Sequence, residues 1–571
     1  MHPIKISALF MIMALPAMAQ FTYPGCANLA PTDFDMTELF SRTGVGALAT
    51  NANMVEPVQM DLRYNGTAVD VYFVERRGAV KYYNGAARTV TQIGTIPNWA
   101  NTAGGSNDNG LMGIAIDPNF TTNRMLYFWY SPVIASATLN RRLRLSRIPV
   151  SAGNTLTMGS EQILIDIIGS KTDQWHSGGP MQFDSYGDLW ITVGNNSRDV
   201  ETSPGSQYST TDSSLSAEWG SSNTASMRGG ILRIHPEVNL VNGKYYSIPA
   251  GNFGEYWATQ FQNQGNAALA AEYRNPALVL PEVYVKGSRS NFSISVHPTR
   301  RWLAWAEVNY QSTNDEFNIS NRPIFAGFPY FHANNASVPG NTKSIATPMN
   351  TSPLNSGVQQ LPPAIPGNIN NLMNVAISGP IYAYDRNNLS PTKFPPHLNN
   401  TLILTSYQAN QVHITRIDSN AVTLSGTQRA DNSIFNGIFV VRNPISARYG
   451  PDGALYILNY SGGTYGAPVN PSVMRVNYIG ACTVTPITEG RRSPTGFAII
   501  MGLDGVKVNE PGNHEIGLYD LAGHKLFSQQ GGIGAEYSFA GMRKDSRMDK
   551  GLYVVRIKTE RGLYVRNISL F

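Results

Sequence analysis

Apolar residues in this chain come in short runs rich in Val, Ile, Tyr, Leu and Trp, divided by clusters of Asn, Asp, Gly and Pro. Alternation of that kind predicts many short β-strands, and helical periodicity is scarce. Several runs resemble one another. DSYGDLWITVG (184–194) and GPDGALYILNY (450–460) each place an Asp- and Gly-containing turn before Leu, an aromatic residue and Ile. DPNFTTNRMLYFWY (117–130) and HPTRRWLAWAE (297–307) are looser versions. A turn that feeds a strand, recurring over such a length, predicts an all-β radial repeat, a β-propeller. The uneven spacing requires long loops between the repeats. Residues 200–227, 251–273 and 333–373 are the candidates, and such loops commonly carry function.

The texture changes near Gly490. EGRRSPTGF (489–497) reads as a polar linker, and beyond it HEIGLYDLAGHKLFSQQ and KGLYVVRIKTERGLYVRNISLF alternate compactly with turns at Gly523 and Gly562. This predicts a second, small β domain over 498–571, within the usual domain size range. At the other end, MHPIKISALFMIMALPAMAQ has a basic Lys5, an apolar run over 6–15 and a small-x-small site at Ala17-Met18-Ala19. That is the pattern of a secretory signal peptide, residues 1–19, with Gln20 as the mature start. The run is too short to span a bilayer and no other apolar run is longer. The main β domain then covers 20–488, and the expected location is outside the cell or on its outer surface.

Composition narrows the partners. Hydrophobic residues make up 42% of the chain, charged residues only 14%, and the formal net charge is +5. Charge this dilute, with no basic run or stripe, argues against nucleic acid. Polarity comes instead from Asn, Ser, Thr, Gly and Tyr, a mix common in extracellular β proteins. There are two cysteines, Cys26 and Cys482. An even pair in an exported chain points to a disulfide, which by chain entropy would contribute about 4–5 kcal/mol across so long a loop. Two buried free thiols are the alternative.

One stretch raises a chemical question. QWHSGGPMQF (174–183) sets a histidine directly before two glycines, with a strand-like run soon after. It belongs to an ordered set: FVERRGAVKYY (73–83), NGLMGIAIDPNFTTNRMLYFWY (109–130), HSGGPMQFDSYGDLWITVGNN (176–196), GGILRIHPE (229–237), PEVYVKGSRSNFSISVHP (281–298), then SGPIY, KFPPHLNNTLIL and YGPDGALYILNY. Over roughly residues 55–480 this set resembles the glucose/sorbosone dehydrogenase family, secreted sugar dehydrogenases that use pyrroloquinoline quinone. The resemblance implies a six-bladed propeller with its cofactor on the open face. Beyond the linker, IGLYDLAGHKL (516–526) and KGLYVVRI (550–557) resemble the sorting domains of proteins exported by the type IX system, which implies a C-terminal β-sandwich and an export-machinery partner.

Oxidising a sugar hydroxyl or hemiacetal removes a proton from oxygen and a hydride from carbon. Imidazole is suited to the first task near neutral pH, and the second needs a bound acceptor because no side chain accepts hydride. By resemblance, His176 in His-x-Gly-Gly is the base. A histidine that only closes a turn is the other reading of the same residues. Arg289, in KGSRSNF, corresponds to an arginine that stabilises charge on the quinone as hydride arrives. Asp108, in DNGLMG, aligns with a polar position that contacts the cofactor or orients the histidine, and it also suits a simple turn cap. EVNYQSTNDEFN (307–318) resembles a loop whose backbone carbonyls hold calcium, a hard ion that takes oxygen ligands. Asn309 and Tyr310 would be the donors, where the family usually has Gly-Pro, with Asp315 and Glu316 close by.

One departure bears on the cofactor. Basic residues that pair with the cofactor's carboxylates are expected after a late strand, but TLILTSYQANQVHITRI (401–417) offers Tyr407, Gln408 and Asn410. Trp175 likewise stands where some members have an acidic neighbour of the histidine. Each lost charge-assisted bond weakens binding by about 1.5–3 kcal/mol. Arg442 and Lys286 are candidate substitutes. Two functions follow: a quinone-dependent sugar oxidoreductase with an external electron acceptor, or a propeller that has lost the cofactor and binds glycans or proteins through loops such as FAGFPYFHANN (325–335). A hydrolase finds no nucleophile elbow and no zinc-ligand spacing.

Overall fold

The computed structural model describes residues 31–42, 54–100, 108–133, 141–170, 175–197, 216–309, 315–385, 387–429, 441–464 and 466–480, and beyond them 499–501, 505–508, 512–520, 525–538, 541, 551–559 and 562–570. The chain divides into two compact units, Met1–Thr483 and Val484–Phe571. Cys26, Cys482 and the signal segment 1–19 lie outside the described residues.

In the first unit, six sheets of at least four strands follow one another along the chain. The first joins Pro57–Tyr64, Val69–Glu75, Ala79–Asn84 and Thr89–Thr95; the second joins Leu111–Ile116, Met125–Tyr130, Arg142–Pro149 and Gln162–Ile168. The third is built on Met181–Phe183, Leu189–Val193, Gly230–Val241 and Val283–Lys286. The fourth takes Ile294–Val296, Leu303–Glu307, Glu316–Ser320 and Ile369–Asn370, and the fifth Ala376–Tyr382, Thr401–Ser406, Gln411–Asp418 and Thr423–Arg429. The sixth pairs Pro444–Tyr449 with Leu455–Asn459, then Ser472–Tyr478, and last Phe34–Ser41 from near the start of the chain. That final antiparallel pairing ties the two ends of the unit into one sheet.

The first strand of each sheet packs against the first strands of its neighbours, and these contacts form a closed cycle from the first sheet through the sixth and back. Side chains stitch the junctions. Asp61 Oδ2 accepts from Ile116 N at 2.8 Å. Gln182 accepts from Val296 N at 3.0 Å, Ser295 Oγ accepts from Ile381 N at 2.8 Å, and Ser446 Oγ donates to Gln59 at 3.0 Å. Arg448, buried, reaches from the sixth sheet to Ile294 O and Met181 O, both at 3.1 Å. It therefore joins three sheets through their first strands. Burial pushes the Asp61 carboxyl up, and the nearby Arg448 charge opposes that shift.

The recurring turn-plus-strand motif has a structural cause. Met125–Tyr130, Leu189–Val193, Leu303–Glu307 and Leu455–Asn459 are each the second strand of their sheet. In three of them the turn aspartate accepts from an aromatic side chain in the strand that follows: Tyr127 to Asp117 at 3.1 Å, Trp190 to Asp184 at 3.0 Å and Tyr456 to Asp452 at 2.9 Å. One expected loop is different. Residues 251–273 hold two helices, Phe253–Asn263 and Ala267–Arg274. Phe253, Trp257 and Phe261 recur every four residues and bury one face against Tyr273 and neighbours of the third sheet. That short amphipathic stripe was masked by the surrounding polar sequence.

In the second unit, Ile499–Met501, Gly505–Val508 and Ala535–Ser538 form one sheet, and Lys525–Gly531, His514–Tyr519, Gly551–Thr559 and Gly562–Leu570 another. Val506, Val508 and Tyr537 from the first share an apolar core with Ile516, Leu518, Val555 and Ile557 from the second.

Candidate functional site

The segments that lead into the first strands carry most of the candidate residues, and they meet in a closed circuit of polar contacts. Arg76 Nε donates to Glu56 Oε1 at 2.5 Å and its Nη1 to Asn109 O at 3.3 Å. Asp108, beside Asn109, accepts from His176 N at 2.5 Å. His176 Nδ1 lies 2.9 Å from Asn195 Oδ1, and Asn195 N donates to Arg289 O at 2.8 Å. Arg289 N donates to Glu307 Oε2 at 3.0 Å and its Nη1 to Val308 O at 2.7 Å. Asp315 accepts from Asn309 N and Ala376 N, both at 3.0 Å. Tyr407 N donates to Val375 O, Asn443 Nδ2 to Tyr407 O at 2.7 Å, and Tyr460 OH to Glu56 Oε1 at 3.4 Å, which returns to the start. His176, Asp108, Arg289 and Asn309 thus belong to one rim. Tyr310 lies outside the described residues.

His176 is buried and sits at φ 57°, the left-handed region that non-glycine residues avoid. Two further contacts hold it there: its carbonyl accepts from Asn196 N at 3.0 Å, and Asp108 takes its N–H. The glycines that follow are required by packing. Gly178 and Gly179 have φ of 71° and 129°. A methyl group on Gly178 would stand 2.4 Å from Thr192 O, and one on Gly179 2.6 Å from Met112 Cβ. The Ser-Gly-Gly turn is thereby wedged between the second and third sheets, with no room for a side chain.

The ring is fixed by a second pair of groups. Nδ1 faces two acceptors, Asn195 Oδ1 and the Ser197 carbonyl, each at 2.9 Å. Ser197 N donates to the same Asn195 oxygen at 3.2 Å, which sets the amide's orientation. Two acceptors at one nitrogen require that nitrogen to carry the hydrogen. In the neutral ring Nε2 then holds the lone pair. Asp108, expected to contact the cofactor, to orient the ring or to cap a turn, takes His176 N and Ser177 N (3.3 Å) through Oδ2. That oxygen caps the turn that presents the histidine. Asn195 and Ser197, in the GNNS segment after Leu189–Val193, do the orienting. Their signal in the sequence was only an Asn-rich strand end.

Arg289 is buried beside several titratable groups. Its charge opposes the upward push of burial on Glu307 and on Asp315, whose pKa rises to about 6. It also reinforces the depression of the buried His332, a residue that sequence reasoning did not single out. Glu307 and Glu316 are opposite partners on adjacent strands, and burial followed by the Glu307 charge raises Glu316 well above the carboxylate range. Among the described residues no group of three or more His, Cys, Asp or Glu has the arrangement of a metal site. For calcium, the oxygen-rich surroundings of Asn309, Asp315 and Glu316 are of the right chemical kind.

Of the two proposed substitute cations, Lys286 is excluded. It is fully buried, and Nζ donates to the carbonyls of Gly220, Ser226 and Arg228 at 2.8, 2.8 and 2.5 Å, which uses all three of its hydrogens. Burial drives its pKa well below the lysine range. Arg442 is exposed and adjoins Asn443, whose amide holds Tyr407 O. Tyr407 itself packs against Tyr460, ring centroids 5.7 Å apart.

Residues 55–244 match the family model described as Glucose / Sorbosone dehydrogenase. The matched segment contains Asp108 and His176 and ends before Arg289. Among solved structures, the chain is similar to the soluble aldose sugar dehydrogenase of Escherichia coli in its apo form, at 16% identity over 78% of this chain and 99% of that one, with a TM-score of 0.49. It is also similar to the PQQ-bound aldose sugar dehydrogenase of Streptomyces coelicolor, at 15% identity over 78% of this chain and 100% of that one, with a TM-score of 0.47.

Proposed function

We propose that this protein is an exported oxidoreductase that oxidises a sugar hydroxyl or hemiacetal, with His176 as proton acceptor and pyrroloquinoline quinone as cofactor. In this reading the six sheets are the blades of a six-bladed propeller, the rim is its open face, and the second unit is a β-sandwich that serves type IX export. The family match over 55–244 supports the sugar dehydrogenase class. The observation that carries the mechanism is the pair of acceptors at His176 Nδ1. With the hydrogen on Nδ1, Nε2 is the ring's basic nitrogen and would take the substrate's hydroxyl proton, and the same two oxygens then stabilise the imidazolium that forms.

In this reading a quinone cofactor would sit at the rim. Arg289 is the residue that would face its carbonyls, Arg442 the exposed cation available to its carboxylates, and the Asn309–Tyr310 backbone with Asp315 would take calcium. When bound, the cofactor supplies the hydride acceptor that the polypeptide lacks. The chain's own contribution is to hold one tautomer of the buried His176 and to offer Arg289 to the negative charge that would develop. An external acceptor would then reoxidise the site.

A second reading, a glycan- or protein-binding propeller without cofactor, is favoured by one feature. Where cations would meet a tricarboxylate, the chain sets Tyr407 against Tyr460, and Arg76 is closed onto Glu56. Calorimetric titration of the purified protein with pyrroloquinoline quinone and calcium separates the two. Micromolar binding, lost in the His176→Ala/Arg289→Ala double variant, and sugar-dependent reduction of an artificial dye support the enzyme. Absence of binding in saturating calcium supports the second reading.

A further inference from the structure

At the strand ends away from His176, a cleft of about 1000 Å³ lies between the first and sixth sheets. Tyr64 closes the strand Pro57–Tyr64, whose other end adjoins the rim residue Glu56. Arg88 comes from the turn after Ala79–Asn84, and Asp385 and residues 387–391 line the opening. The cleft is at the upper end of the size range of small-ligand sites.

Its walls are held before any ligand arrives. Asp452 accepts from Tyr456 OH at 2.9 Å and from Arg475 Nη2 at 2.6 Å, and Arg475 also donates to Thr392 Oγ1 at 3.0 Å. Tyr83 stacks on Phe40, centroids 4.7 Å apart. That lining segment is pinned twice: Asn388 Nδ2 donates to Pro451 O at 2.9 Å, and Lys393 Nζ donates to Asp385 O and Asn388 O at 3.0 and 2.5 Å. Such a site loses little entropy on binding.

Among the described lining residues the charges balance. Arg475 and Asp452 neutralise each other inside the wall, and Arg88 and Asp385, exposed at the cleft, are of opposite sign. What the cleft presents is a half-exposed aromatic ring at Tyr64 (53%), an almost fully exposed Leu389 (90%) at the lip, and neutral amide and hydroxyl groups such as Asn387 and Thr67 between them. A flat apolar surface bordered by neutral donors and acceptors complements a pyranose ring, which has one C–H face and an equatorial belt of hydroxyls. We propose that this cleft binds a neutral oligosaccharide, at a site separate from the rim and independent of any cofactor.

The test is isothermal calorimetry and saturation-transfer NMR on the full exported chain, without cofactor, against neutral hexasaccharides of β-1,4-glucose, α-1,4-glucose, β-1,4-xylose and β-1,4-mannose. Binding of at least one at millimolar or lower concentration is expected, weakened about 3- to 10-fold in Tyr64→Ala and abolished in Leu389→Asp at the lip. Both side chains are exposed, so the fold is retained. His176→Ala is expected to bind unchanged, which keeps this outcome distinct from that of the dehydrogenase reading. Absence of binding across the panel, binding indifferent to both cleft variants, or binding lost in His176→Ala would overturn the proposal.

Discussion

Replacing Asn195 by leucine tests the tautomer on which the proposed chemistry rests. The substitution removes one of two acceptors at His176 Nδ1 and leaves the Ser197 carbonyl at 2.9 Å. It also strips the Ser197 N–H of the oxygen it reaches at 3.2 Å. A neutral hydrogen bond contributes about 1 kcal/mol net, so the preference for the Nδ1–H form should fall about 5-fold. Selective ¹⁵N-histidine labelling reads the tautomer directly, with His176→Gln assigning the resonance. In the parent protein Nε2 should appear at the unprotonated imidazole frequency and Nδ1 at the protonated one, and Asn195→Leu should move both toward the average. If the parent protein shows Nε2 protonated, Nε2 has no lone pair for a substrate proton and the assignment of His176 as base fails.

Gly179→Ala forces a side chain onto a residue at φ 129° and 2.6 Å from Met112 Cβ; overpacking and backbone strain together should cost about 3 kcal/mol or more, read as a lower midpoint in urea. Arg448→Met removes charged hydrogen bonds to Met181 O and Ile294 O and should destabilise by about 3–5 kcal/mol. Adding Asp61→Asn should recover part of that loss, and strict additivity of the two would show that the charges do not interact. Burial pushes the Asp315 carboxyl up to about 6 from the usual aspartate value of 3.8, so its contribution to stability is full below pH 3.8 and is lost as pH rises through 6. Relative to Asp315→Asn, and with calcium chelated, the parent protein should lose about 3 kcal/mol between pH 4 and pH 7; a flat difference would contradict the buried placement of this carboxyl.

Much of the architecture was legible because a β-sheet protein writes its period locally. The turn-plus-strand motifs at 117–130, 184–194, 297–307 and 450–460 are second strands of their sheets, and their turn aspartates bond to aromatic residues a few positions on. The helices at 253–274 were less visible, because three large residues on one face carry the signal within a polar stretch. At the rim, the histidine before two glycines was conspicuous, but the groups that orient it were not. Asn195 and Ser197 lie 19 and 21 residues from His176, and nothing in their local sequence distinguishes an acceptor for a ring from a strand-end cap. Lys286 read as a spare cation until its three carbonyl partners, 58 to 66 residues away, came into view.

By itself the sequence determined the β class, the change of texture near residue 490 and the identity of the chemical groups, since alternation, turn residues and side-chain type are properties of neighbouring positions. Only the tertiary structure decided which of those groups work together. It set one Asp108 oxygen on a backbone turn, the His176 ring against Asn195 and Ser197, and Lys286 in the interior. It also closed the first unit by pairing Phe34–Ser41 with Ser472–Tyr478. Hydrogen bonds and charges act over a few ångströms in space, and a chain that returns to the same rim from six sheets brings within that range residues that its linear order keeps far apart.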